Sequence, residues 1–469
     1  MTMVAYGLGP IAESVKNQGF NVFLLFYYNQ VIGLSATATS IALAIALAFD
    51  AVSDPVAGSL SDKLKSRWGR RHPFILLAAV PMAITFYLLF NPPELSQTGY
   101  AFWLVIFAVL VRASMTIYYV PHLALGAELA TDYDQRSMLY AYNTFFGFMG
   151  AALFLPLSYR LFFPTTPEFS PGLLNEAAYS PWALFSGLIM ISAIVVCVWG
   201  TRHEIPRLNQ RTNLASAKFG GRQMLREVKE AFSNSSFRSL FFGMILTVFI
   251  LSVEAVFNPF MGFHFWGMTT EQLSYLPLGA LTGLVASIFL TPILTRRFDK
   301  KPTLIGCALL TIVNVNTPIV LTLLDTDWFP EPGSTALLLA LIVNIGFTTL
   351  LAPIIYSTLN SMFADIADEH ELEVGERREG VIFAARSFAN KASASLGLVF
   401  GGILLDYIAF PRGVAAGDVP ADIVWQLGFI AGPATSVITF CGMALYIRYR
   451  ITRARHVEII GLLEEKRRQ

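Results

Sequence analysis

Apolar positions in this chain come in long unbroken tracts, without the two-residue or 3.6-residue rhythm of a soluble domain. The tracts reach or approach the roughly 20 residues that cross a bilayer. They predict twelve helices, near residues 8–33, 37–61, 73–91, 100–129, 138–161, 181–200, 237–262, 272–295, 303–324, 336–362, 380–405 and 425–449, separated by polar loops. The first tract contains Glu13 and Lys16 and no small-residue cleavage site follows it. It is therefore expected to remain as a span and not to be removed as a signal.

The placement of Lys and Arg checks this count, because basic residues collect in cytoplasmic loops. Alternate loops hold Lys63, Lys65, Arg67, Arg70 and Arg71, then Arg136, then eight basic residues from Arg202 to Arg238. The same side continues with Arg296, Arg297, Lys300, Lys301, Arg377, Arg378 and seven basic residues from Arg448 onward. Opposite loops, such as "NPPELSQTG" and "DTDWFPEPGS", hold almost none, Arg412 being the clear exception. An odd number of spans would scramble this pattern, so a multi-pass protein of the plasma (inner) membrane with both termini in the cytoplasm is expected. The longest inner loop divides the chain into a first six-helix bundle at 1–200, a linker at 201–236, a second bundle at 237–449 and a cytoplasmic tail at 450–469.

A repeat supports the two halves. After the fourth span the chain reads "AELATDYDQRSMLYAYNTFF", and after the tenth "FADIADEHELEVGERREGVIFAARSF". A weaker echo links the basic loop after the second span to "LTRRFDKKP" after the eighth. The expected architecture is an all-α membrane protein with twelve transmembrane helices in two pseudo-symmetric six-helix bundles, the internal-repeat plan of secondary transporters, whose substrates bind near the midplane.

Composition agrees. Hydrophobic residues make up 55% of the 469 and charged residues only 14%, against about 25% charged in soluble domains. A net charge of +1, dispersed over one set of loops, gives no nucleic-acid footprint. Cys197, Cys307 and Cys441 all fall in spans without metal-ligand spacing and read as packing residues. No nucleophile-base-orienter set or metal motif is visible, which excludes an enzyme reading. No cofactor and no obligate protein partner are evident; the partners expected are the lipid bilayer and a small-molecule substrate.

Charge inside a span needs a reason, since it costs roughly 2.5–3.5 kcal/mol at a helix centre. In "FDAVSDPVAGSLSDKLKSRWGRRHPF" Asp50 and Asp54 stand i, i+4 on one face. Two ionised carboxylates about 5–6 Å apart repel by about 3 kcal/mol at an effective dielectric near 20. Ser53 adds an oxygen, and Pro55 frees a carbonyl one turn earlier. Oxygens around two carboxylates suit a hard cation such as sodium, or a proton; the alternative is a purely structural network with basic residues. Basic candidates are Lys391, the better placed for competition with the cation, and Arg386, with Lys16 and Arg112 in the first half. Arg112 has no acidic neighbour identifiable from sequence.

Asn17, Gln18, Asn21, Tyr118, Tyr119 and Asn143 from the first half, and Tyr356, Asn360 and Asn390 from the second, mix amides with aromatics as a sugar site does. Each also suits a helix-helix contact. In the loop after the second span, Gly58 is expected to allow close helix approach, and Asp62 to pair with a basic residue such as Arg70, beside Arg71, as a cytoplasmic gate.

The stretches "DAVSDPVAGSLSDKLKSRWGRRHPF", "YGLGPIAESV" with "FLLFYYNQVIGLS", "YYVPHLALGAELATDYDQR" and "ADIADEHELEVGERREGVIFAARSFANK" together resemble the glycoside-pentoside-hexuronide:cation symporters of the major facilitator superfamily, over nearly the full chain. The resemblance implies a sodium or proton site at Asp50, Ser53, Asp54 and Thr116, with Lys391 as the coupling lysine. It also maps the family's sugar-binding positions onto Ser14, Tyr119, Asn143 or Thr144, Leu123 and Tyr356, of which only Tyr356 keeps the family's residue type. The function implied is symport of a sugar or glycoside-like small molecule with Na+ or H+ by alternating access. The alternative is a carrier of a lysophospholipid or other amphiphile, a cargo of the group's vertebrate relatives.

Overall fold

The structure, a computed structural model, describes residues 2–64, 66–129, 133–210, 232, 234–374 and 379–468. Lys65, Arg377, Arg378 and most of the expected linker, residues 211–231, lie outside the described residues. Every regular element among the described residues is helical. Among the described residues, eleven helices are long and apolar enough to cross a membrane.

The expected first span is helical in pieces and is not among the eleven. It comprises α1 (Thr2–Leu8), α2 (Pro10–Gln18) and two π turns, Gly19–Leu24 and Tyr27–Val31. The break precedes Pro10, whose missing N–H is tolerated at a helix start. The long helices that follow are α3 (Ala36–Lys63), α4 (His72–Leu89), α5 (Gln97–Leu129), α6 (Tyr133–Leu161) and α7 (Tyr179–Thr201), and the short α8 (Ile205–Gln210) comes next. Then come α9 (Ser235–Phe260), the short α10 (Thr270–Leu273), α11 (Leu276–Phe298), α12 (Lys300–Leu323), α13 (Thr335–Val374) and α14 (Glu379–Tyr407). The chain closes with α15 (Ala421–Phe429), α16 (Thr435–Tyr446) and α17 (Arg453–Arg468).

Two compact units emerge. The first comprises residues 1–215, 255–274 and 398–423. Its core is aromatic: Trp182 lies 4.4 Å from Phe23 and 4.9 Å from Phe90 between ring centroids, with Tyr179 and Phe163 alongside. The buried polar tips are satisfied, Trp182 Nε1 donating to Ser158 Oγ (3.0 Å) and the Tyr28 hydroxyl to the Leu89 carbonyl (2.7 Å). Segments 255–274 and 398–423 join this unit through specific bonds. Asp406 accepts from the Ala36 and Thr37 amides at the start of α3 (3.1 and 2.8 Å), neutralising the positive end of that helix. Thr165 N donates to Glu271 (2.7 Å), and Arg160 Nε to Ser274 (3.0 Å). Leu77, Val80 and Ile84 of α4 and Phe102 and Ile106 of α5 remain exposed, as side chains facing lipid do.

The second unit comprises residues 216–254, 275–397 and 424–469. Here α11 and α13 pack through small residues. A Cβ at Gly279 would collide with the Ile342 carbonyl, and one at Gly283 with the Gly346 carbonyl. The spacing Gly279-x-x-x-Gly283 is the small-residue stripe that lets helices approach where lipid removes the hydrophobic driving force. α13 runs past the expected end at 362 to Val374, and α17, expected only as tail, folds against it with Ile459 and Leu463 buried.

Candidate functional site

α3 and α5 meet in a constant register. Asp50 pairs with Arg112 through Oδ2 and Nη1. One turn on, Thr116 Oγ1 donates to Asp54 Oδ1 (2.9 Å) and meets Ser53 Oγ (3.2 Å). One turn further, Gly58 faces Val120. Each rung joins residues 62 apart because both helices advance by i, i+4, so once the helices meet, one rung sets the register of the others. Ser53, Asp54 and Thr116 are thus brought together, and Asp50 supplies the acidic neighbour of Arg112 that the sequence leaves unidentified.

Above this face stands Phe20. The Arg112 guanidinium lies 5.2 Å from its ring centroid and Lys16 Nζ 5.6 Å, a shared cation–π contact. Lys16 is buried, gives a 2.6 Å hydrogen bond to Asn17 Oδ1, and feels the charges of Arg112, Glu13, Asp50 and Asp54. Among the described residues, Glu13, Asp50 and Asp54 thus act on Lys16 together with Arg112.

This donor set does not form the two-carboxylate cage expected for sodium. Hard cations take about six oxygens, and here one Asp50 oxygen is held by a guanidinium while the other is buried without a hydrogen-bond partner. Among the described residues no group of three or more His, Cys, Asp or Glu is placed to hold a metal ion.

At the end of α3 the gate residues are paired differently from expectation. Asp62 binds Arg71 (2.5 Å), while Arg70 binds Glu128 of α5 (2.6 Å). Arg71 also reaches Glu128 (3.0 Å) and Ser61 Oγ (2.6 Å). The reason is burial: Arg71, its side chain only 8% exposed, needs several acceptors, whereas Arg70 at 22% does not. Gly58 does not serve a close approach, since an added Cβ would make ordinary contact with Val120 at 3.5 Å. Glu128 was missed, although the "AELA" and "ADIA" repeat marks it. Its counterpart in the second unit, Asp365, binds Lys300 from the other basic loop (2.7 Å) and accepts from the Tyr449 hydroxyl (3.1 Å). Burial, and then Asp365, hold the Tyr449 phenol well above its usual range, so it stays a donor. His456 of α17 completes this cluster, 3.4 Å from Asp365 and 3.2 Å from Asp368.

The proposed substrate residues divide. Ser14 and Gln18 spend their polar atoms on the Gly147 and Ala151 carbonyls of α6 (2.7 and 3.4 Å), bonds that hold helices together. Tyr118 is fully buried, and Asn143 is buried and near the Tyr6 hydroxyl (3.5 Å), so neither offers a surface to a solute. Asn17 and Tyr119 are half-buried. In the second unit Tyr356, Asn360 and Asn390 are exposed, and Arg386 lies 5.3 Å over the Phe363 ring. Lys391 is half-buried there. His122, stacked on Tyr6 at 4.3 Å and 3.6 Å from Cys197 Sγ, is a packing residue.

Known proteins place this geometry in context. An uncharacterized symporter of Synechocystis sp. is 24% identical, covering 99% of this chain and 96% of its own length. The putative glycoside/cation symporter YagG of Escherichia coli is 25% identical over 98% of this chain and 93% of its own. The crystal structure of the nucleoside transporter NupG superposes with a TM-score of 0.59 at 13% identity, covering 95% of this chain and 98% of that one, and so shares the fold. The model of the MFS/sugar transport protein family matches residues 5–453, and with helices throughout and charged rungs inside the membrane, the chain belongs to that family, the glycoside-pentoside-hexuronide symporters of the major facilitator superfamily.

Proposed function

We propose that this multi-pass membrane transporter carries a sugar or glycoside-like small molecule in symport with a cation, by alternating access, and that the α3–α5 ladder is its coupling site. The observation that carries this reading is the charged cluster at Asp50, Asp54, Arg112 and Lys16, set where lipid-facing helices otherwise hold apolar residues. Thr116 fixes the Asp54 carboxylate, Arg112 fixes that of Asp50, and Phe20 holds both cations in place. Neutralising the cluster stabilises the packed α3–α5 face, and linkage makes the effect of substrate on cation binding equal to that of cation on substrate binding. The α3 helix continues from the ladder into the Asp62–Arg71–Glu128 latch, so loading and gating share one element. Lys391 matches the family's coupling lysine by the resemblance of its sequence segment. The basic loops support a cytoplasmic side for both termini.

The relatives' names favour sugars: they include YagG, named a putative glycoside/cation symporter, and an isoprimeverose transporter of Lactiplantibacillus pentosus. The test is a thermal-shift panel of sugars, glycosides, hexuronates and lysophospholipids, followed by uptake of the stabilising compound into proteoliposomes. Accumulation above the outside concentration under an imposed proton or sodium gradient is expected. Stabilisation by lysophospholipids alone, or uptake that never exceeds equilibration, would refute the proposal.

A further inference from the structure

We infer that Arg112 is a tethered counter-ion occupying, at Asp50, the place of a mobile metal cation, so that sodium is not the ion this site uses. The inference rests on the coupling-site reading above and narrows it. A guanidinium does not deprotonate in proteins, so its charge at Asp50 is permanent. The pair is sheltered, with side chains 13% and 17% exposed, and Phe20 beneath Arg112 restricts its swing away. The second Asp50 oxygen, buried and without a hydrogen-bond partner, is held only through this pair among the described residues. The Asp54 side of the ladder offers the Thr116 and Ser53 hydroxyls, already bonded to each other at 3.2 Å. A metal ion there would face Arg112 and also Lys16, both fixed on one aromatic ring. A unit positive charge about 7 Å away at an effective dielectric near 20 weakens binding of a monovalent cation by roughly 10–100-fold. Arg112 cancels the charge that Asp50 would lend to sodium, and the ladder's remaining oxygens, those of Asp54, Ser53 and Thr116, are fewer than the roughly six a hard cation takes.

The experiment measures sodium directly on the purified full-length protein, with no substrate present. Saturable uptake of radioactive sodium and sodium-dependent thermal stabilisation are read at constant ionic strength, choline replacing sodium. The wild type is expected to show neither. Arg112→Gln should acquire both, with binding roughly 10–100-fold tighter, and Arg112→Lys, which keeps the charge, should remain blind to sodium. Where the amide variant does not fold, Arg112→Met keeps the volume over Phe20 and serves in its place. Saturable sodium binding by the wild type overturns the inference without any variant. So does a folded neutral variant that still ignores sodium. Because binding is read apart from transport, a failure of gradient-driven accumulation would remove the symport reading and leave the sodium result to be judged separately.

Discussion

Thr116 holds two partners at once, Asp54 at 2.9 Å and Ser53 at 3.2 Å, and is itself buried. Replacing it with valine keeps the shape but strips the half-buried Asp54 carboxylate of a donor, a loss of about 1.5–3 kcal/mol for a hydrogen bond to a charged group. Thr116→Val is expected to melt earlier and to lower gradient-driven accumulation more than exchange of substrate across the membrane; equal losses in both would make Thr116 merely structural. At the latch, burial separates two adjacent arginines. Arg71 is buried and bound by Asp62, Glu128 and Ser61, so Glu128→Ala, which removes one of its acceptors while Asp62 remains, should cost about 1–3 kcal/mol. Arg70→Ala removes a more exposed pair and should cost at most about 1 kcal/mol. Melting temperatures of the two variants in the same detergent check the ranking.

At the scale of elements, the ladder and the glycine stripe differ in how far the sequence foretold them. Asp50 and Asp54 are visible from their spacing because period and chemistry coincide on one helix. Arg112 and Thr116 carry the same i, i+4 spacing on α5, yet which helix α5 touches is not written in its own residues. Glu128 and Asp365 were legible as a repeat, and each binds a basic residue from the equivalent loop of its own unit. Gly279 and Gly283 went unread, since glycine in a span serves packing, bending or neither until a neighbour is known. Gly283→Leu would drive a side chain into the Gly346 carbonyl. Overpacking of this kind costs about 1–3 kcal/mol or more, and the variant should lose its monodisperse elution, whereas Gly306→Ala, with nothing within 4 Å of the added Cβ, should not.

For the whole molecule, the second unit depends on its last helix. Ile459 and Leu463 of α17 are buried in the core that includes Phe363 and Ile366, and His456 faces Asp365 and Asp368. Burial of each aliphatic side chain is worth about 1.5–3 kcal/mol, so a chain ending at Ile451 should melt well below the full-length protein; an unchanged melting curve would show that α17 only rests on the surface. The sequence by itself determined the helical class, the membrane setting and the acidic face of α3, because each follows from composition, period or local spacing, and the family through the resemblance of its motifs. Only the tertiary structure decided that Asp50 belongs to Arg112, that Arg71 and not Arg70 takes Asp62, and that Ser14, Tyr118 and Asn143 are spent on packing. Those choices depend on which helices adjoin and how deeply each side chain is buried. In a membrane, where apolar surface gains little by facing another helix in place of lipid, one-dimensional patterning says where helices lie but not which polar groups meet.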